Sequence, residues 1–169
     1  MQKRVFFLFS AVFLLVSCSE AKLEKIFEDN FERAELGENY TVQGGDWKID
    51  AGAITSSKAE NRNLVLTGVY LPQNGVIELT MWSESEGVDV KFNAWGDGKI
   101  HDHGDGYSFI LGGWQNRVSV ISKLHEHEKK RSEERDIRLK KGERYRVKIV
   151  RKASDIKWFV NDKLFLSYN

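Results

Sequence analysis

From Ile26 onward apolar and polar residues alternate with a period of two, interrupted at short intervals by turn residues, the pattern of an all-β antiparallel sandwich or barrel. It is clearest near the C-terminus. Tyr145, Val147 and Ile149 alternate with Arg146 and Lys148, and Ile156, Trp158 and Val160 alternate with Lys157 and Phe159. Ala153-Ser154 and Asn161-Asp162 supply the turns between, the second pair because both residues tolerate positive φ. Strands are predicted over 144–151, 155–160 and 163–168, and upstream over 47–49, 53–56, 63–70, 75–82, 88–94, 107–111 and 117–124. Pro72, the single proline, falls in a connection, where a missing amide donor does no harm. No stretch of helical length carries a 3.6-residue apolar stripe. Trp47 and Trp158 sit within apolar alternations and are expected in the core.

The first residues follow another rule. Lys3 and Arg4 precede an apolar run over 5–16 that ends at Ser17 and Cys18, the layout of a secretory signal. A spanning helix needs about 20 apolar residues, so this run is too short to cross a bilayer. Leu15-Val16-Ser17-Cys18 resembles the bacterial lipobox. That resemblance implies diacylglyceryl transfer to the Cys18 sulfur, cleavage before Cys18 and acylation of the new amine, palmitate being one such chain. Several acyl chains anchor stably. Three segments follow: a lipoprotein signal peptide over 1–17, a lipidated cysteine and tether over 18–25, and a folded region over 26–169. A cell-envelope location is expected, and Ser19 in place of an inner-membrane-retaining aspartate favours the outer membrane where the cell has one.

With one cysteine, the folded region has no intramolecular disulfide and depends on packing. Lys and Arg number 26 against 25 Asp and Glu, a net charge of +1, so no global field points to nucleic acid, which is excluded as a primary partner. The charge is unevenly spread: 125–136, HEHEKKRSEERD, is almost wholly charged. It reads as a solvated hairpin loop, an exposed helix or strand ends running past the sheet, and exposure is the ordinary fate of such mixed runs.

Two constellations carry candidate chemistry. Between predicted strands, 94–107 brings together Trp95, Asp97, His101, Asp102, His103, Asp105, Tyr107 and several glycines, a binding-loop composition. Asp97, Asp102 and Asp105 would suit calcium, although the spacing matches no EF-hand. His101 and His103, with Asp105 or with His125 and His127, would suit zinc, and a metal-free polar loop is the third reading. No cofactor is required. The second constellation is Trp82, Trp95 and Trp114, the last followed by Gln115, Asn116 and Arg117. Sugar C–H faces stack on aromatic rings while Asp, Asn, Gln and Arg bond hydroxyls, so Trp82, Trp95, Asp102, His103, Asp105, Tyr107, Trp114, Gln115, Asn116 and Arg117 are the candidate carbohydrate-binding residues. Core or rim packing is the competing reading for each tryptophan.

The order Asp29-Asn30-Phe31-Glu32-Arg33, Gly45-Asp46-Trp47-Lys48-Ile49 and Gly52-Ala53-Ile54, then Gly106 to Trp114, the Tyr145 to Ile149 strand and Trp158-Phe159-Val160-Asn161-Asp162-Lys163-Leu164, resembles the concanavalin A-like lectin, glucanase and laminin G-like domains. The resemblance implies a β-sandwich of jelly-roll type, lacking its closing strands if the chain is a piece of a longer product. It also implies glycan as the partner. The glucanase carboxylate pattern E-x-D-x-x-E is absent, and Glu84 and Glu86 alternate but lie in a predicted connection, which leans the reading away from an enzyme. Three functions are carried forward: a membrane-anchored glycan-binding module, a glycan-active enzyme of the 3-keto-disaccharide hydrolase kind, and a structural or adhesive surface lipoprotein.

Overall fold

The structure, a computed structural model, describes residues 23–59, 62–97, 106–135 and 138–169. Cys18, the signal run, His101, Asp102, His103 and Asp105 lie outside the described residues.

The fold is an all-β antiparallel sandwich. Its strands among the described residues are β1 (Tyr40–Val42), β2 (Lys48–Asp50), β3 (Ala53–Thr55), β4 (Leu64–Leu66), β5 (Gly75–Met81), β6 (Val90–Ala94), β7 (Tyr107–Gly112), β8 (Val118–Lys123), β9 (Ser132–Arg135), β10 (Tyr145–Lys152), β11 (Asp155–Val160) and β12 (Lys163–Tyr168). One four-stranded sheet has the order β12-β11-β10-β5 and the other β6-β7-β8-β9; β1-β4 and β2-β3 form small two-stranded sheets. The chain therefore leaves the first large sheet after β5, builds the whole of the second, and returns with β10 against β5.

The predicted alternation sets the faces. Tyr145, Val147, Ile149, Ile156, Trp158 and Leu166 from one sheet meet Ala94, Tyr107, Phe109, Leu111 and Ile121 from the other in a single buried cluster. Trp158 is fully buried, and Phe109 meets it edge to face across the sandwich at 5.8 Å and 90°. The Asn161-Asp162 turn has the expected positive φ, 49° and 66°, and the Asn161 side chain accepts the Arg146 amide at 2.9 Å.

Three points depart from expectation. β1 (Tyr40–Val42), paired with β4, lies outside every predicted strand. Trp47 is half-buried and stands outside the core cluster, its indole nitrogen without a hydrogen-bond partner among the described residues. The charged run is the third: residues 124–131 do form a hairpin loop, but Ser132–Arg135 is a strand paired with β8, Val120 opposite Glu133 and Val118 opposite Arg135. Nor is the loop simply solvated. Glu126 accepts from Lys91 at 2.9 Å, and Glu128 accepts the Lys123 amide at 2.8 Å and the Tyr168 hydroxyl at 2.7 Å. This packing helps explain why every residue of β7 is buried: Phe109 and Leu111 face the core, while Ile110 on the other face joins Val118 and Val120 in a second apolar cluster with Trp114 packed on it.

Candidate functional site

Trp114 is presented by an unusual piece of backbone. Gly113–Asn116 makes one turn closed by the Arg117 amide on the Gly113 carbonyl at 3.0 Å, but with left-handed dihedrals: φ is 52° at Trp114, 59° at Gln115 and 59° at Asn116. Left-handed residues with a Cβ cost about 1–2 kcal/mol each, and such strain persists only where the surroundings impose it. Here Asn116 imposes it. Its buried carboxamide donates to the Leu139 carbonyl at 2.7 Å and accepts the Leu139 amide at 3.0 Å, while Arg138 donates to the Asn116 carbonyl at 2.8 Å. Gly113 allows the close approach, since a Cβ there would stand 2.7 Å from Ile110 Cγ2. The local sequence Gly112-Gly113 therefore lets the chain turn against β8, and Asn, the residue most tolerant of positive φ after glycine, locks it.

The turn lays the Trp114 side chain on Ile110, Val118 and Val120 and brings it under β9 and its preceding loop. The Arg131 guanidinium lies over the indole at 5.0 Å, and His127 meets the ring edge on at 5.8 Å. A shallow cavity of about 300 Å³ is lined by Trp114, Arg117, Val118, Arg131 and Arg135. Glu133, beside it, ties two of these arginines together, accepting from Arg131 at 2.9 Å and from Arg135 at 2.6 Å. Partial burial pushes the Glu133 carboxyl up, and the guanidinium bonds outweigh it, so it titrates below the ordinary glutamate range.

The described aromatic candidates Trp82, Trp95, Tyr107 and Trp114 do not converge. Trp95 follows Ala94, which pairs with Tyr107 at the start of β7, whereas Trp114 lies beyond the end of β7. At about 3.3 Å per residue their backbones stand about 20 Å apart. Trp95 serves the fold, since its indole N–H donates to the Pro72 carbonyl at 2.8 Å and its ring packs edge-on against Phe109 at 6.4 Å. Tyr107 is buried in the core against Tyr168. Trp82 follows β5 in the opposite sheet, with Arg144 stacked over its ring at 4.2 Å. Asn116 spends its amide on Leu139, so Trp114, Gln115 and Arg117 remain with outward-facing surface. Among the described residues no cluster of three or more His, Cys, Asp or Glu side chains is arranged to hold a metal ion.

Arg131 and Arg135 escape a reading of the sequence because they belong to the charged run. The signal that finds them is a period of two in the charges themselves: Arg131, Glu133 and Arg135 occupy alternate positions, as residues on one face of a strand do. A larger hollow, about 670 Å³, is lined by residues in the range 27–39. There Asp29 accepts the Arg33 fork at 2.6 and 2.8 Å and the Tyr40 hydroxyl at 2.9 Å, so its central charges satisfy one another.

The site is thus an indole held on a strained turn and ringed by guanidinium groups on the outer face of an antiparallel sandwich. No protein-family model matches the chain, and no curated protein or solved structure matches it either.

Proposed function

We propose that this chain is an exported lipoprotein, anchored to a bacterial membrane through Cys18, whose concanavalin A-like sandwich binds glycan at Trp114. The observation that carries the reading is the left-handed Gly113–Asn116 turn, clamped by Asn116, that delivers Trp114 to a cavity lined by Arg117, Arg131 and Arg135. Backbone strain of this kind recurs at binding sites, because it holds a side chain in a position that relaxed backbone would not reach. Guanidinium forks bond pairs of oxygens, and the part of the half-buried indole that Arg131 leaves uncovered adds apolar surface beside them, which together suit an oxygen-rich ring ligand. The lipobox-like Leu15-Val16-Ser17-Cys18 supports the anchor.

The test is a glycan array probed with the detergent-solubilised protein, with and without added divalent metal, alongside Trp114→Ala. Retention of a defined glycan by the wild type and its loss in the variant, with unchanged far-ultraviolet circular dichroism, supports the reading. Equal retention by both removes Trp114 from the site.

A further inference from the structure

We propose that the Trp114 pocket selects an acidic sugar, binding the carboxylate of a uronate residue through Arg117 and Arg135. This rests on the glycan-binding reading and narrows it. The first observation is the charge of the lining: among the described residues three arginines and no acid line the cavity, in a chain whose total charge is only +1. Glu133, just outside the lining, offsets one of the three through its bonds to Arg131 and Arg135.

The second observation is what already covers the indole. Arg131 lies over the ring, where the apolar face of a neutral sugar would otherwise stack. Recognition in this pocket therefore passes through guanidinium groups, whose planar forks match planar carboxylates. The third is that the structure itself contains such an arrangement. Glu133 takes one arginine on each oxygen: Nε and Nη2 of Arg131 at 2.9 Å, and Nε and Nη2 of Arg135 at 2.6 Å. Arg131 spends a further N–H on the Glu126 carbonyl at 2.7 Å, which fixes it as a positioning residue. Arg117 is exposed and has no ion-pair partner among the described residues, and Arg135 is 60 % exposed, so these two are the groups a ligand carboxylate reaches from solvent.

The experiment compares oligomers of galacturonate, glucuronate and mannuronate with the same oligomers after their carboxyl groups have been reduced to alcohols, using the detergent-solubilised full chain. At least one uronate oligomer is expected to bind at least about tenfold more tightly than its reduced form, and Arg117→Gln and Arg135→Gln each to weaken it about tenfold, the usual loss for a charged hydrogen bond. Added salt should weaken it further. Equal binding of native and reduced oligomers overturns the acidic-sugar inference while leaving the glycan reading in place. Equal competition by a sulfated galactan or by inorganic phosphate overturns carboxylate selectivity. Failure of every glycan, acidic or neutral, to bind overturns both. Both substitutions are at exposed positions, so loss of fold does not confuse the result.

Discussion

Asn116 grips Leu139 at both of its backbone polar groups, donating to the carbonyl at 2.7 Å and accepting the amide at 3.0 Å. One side chain thereby takes the place of a pair of sheet hydrogen bonds and ties the Trp114 turn to the segment leading into β10. Asn116→Ala removes both bonds and leaves an alanine at φ 59°. The expected cost is about 2–4 kcal/mol in a urea titration, from two orphaned backbone groups and the left-handed strain. Asn116→Gly loses the bonds without the strain and should cost about 1 kcal/mol less. Equal losses in the two variants would show that the turn relaxes once the amide is gone.

Trp158 is expected to be the most costly single truncation in the core. It is fully buried between Phe109 and Phe165, and Trp158→Ala should lose about 3–5 kcal/mol. Its indole N–H has no partner among the described residues. Trp158→Phe deletes that unsatisfied donor along with some volume, so its loss should be less than half that of the alanine variant, measured by the same titration.

The core was legible in the first large sheet because β10 and β11 bury alternate residues, whereas β7 and β8 are buried on both faces and show no such period. The strand predicted over 144–151 is β10 (Tyr145–Lys152), and Val147, Ile149, Ile156 and Trp158 face inward as their spacing requires. β1 was not legible, since Tyr40–Val42 has no hairpin partner next to it in the sequence, as β2 has in β3, and pairs instead with the distant β4. β9 was not legible because its sequence, SEER, contains no apolar residue, and pairing with β8 alone makes it a strand. The candidate site was half legible. Trp114 and Arg117 stand together in the sequence, but Arg131 and Arg135 join them only through the β8–β9 pairing, and Trp95 is separated from them by the length of β7.

Acid should loosen the N-terminal third before the sandwich. The Ser56 and Ser57 hydroxyls and the Ser57 and Lys58 amides all donate to Asp46, and Arg33, the Phe31 amide and the Tyr40 hydroxyl to Asp29. Both carboxyls are held well below the ordinary value of 3.8, Asp46 chiefly by the Ser56 hydroxyl and Asp29 chiefly by Arg33. A depressed folded pKa adds stability that is present above the unfolded value and is lost as pH falls through the folded one. Amide exchange in β1 to β4 should therefore rise below about pH 4 while β10 and β11 stay protected. Asp46→Asn should abolish that pH dependence in β2 and β3 and leave the Asp29 contribution to β1 intact. An unchanged acid response in the variant would remove Asp46 as its source.

The proposed anchoring makes a separate prediction, because it would depend on one residue, Cys18. Cys18→Ala removes the acyl acceptor and the cleavage signal together, so the variant should take up no labelled fatty acid and should keep residues 1–17, seen as a mass increase. Fatty-acid labelling of the variant at the wild-type level would show that something other than Cys18 is acylated.

The two tryptophans at opposite ends of β7 should respond in opposite ways. Trp95 ties the end of β6 to the connection before β5 through its N–H bond to the Pro72 carbonyl and packs on Phe109, so Trp95→Ala should cost about 2–4 kcal/mol of stability and leave glycan retention intact in the molecules that fold. Trp114 rests half-buried on the small outer cluster of Ile110, Val118 and Val120, apart from the main core, so Trp114→Ala should cost less stability and remove the ring that Arg131 lies over and with it glycan retention. Denaturant titration and glycan retention measured on the same two variants separate the roles. If Trp95→Ala loses binding at full stability, the site lies at the Trp95 end of the sandwich. If Trp114→Ala instead unfolds the chain, the outer cluster is part of what holds β8 to β9, and the left-handed turn serves the fold.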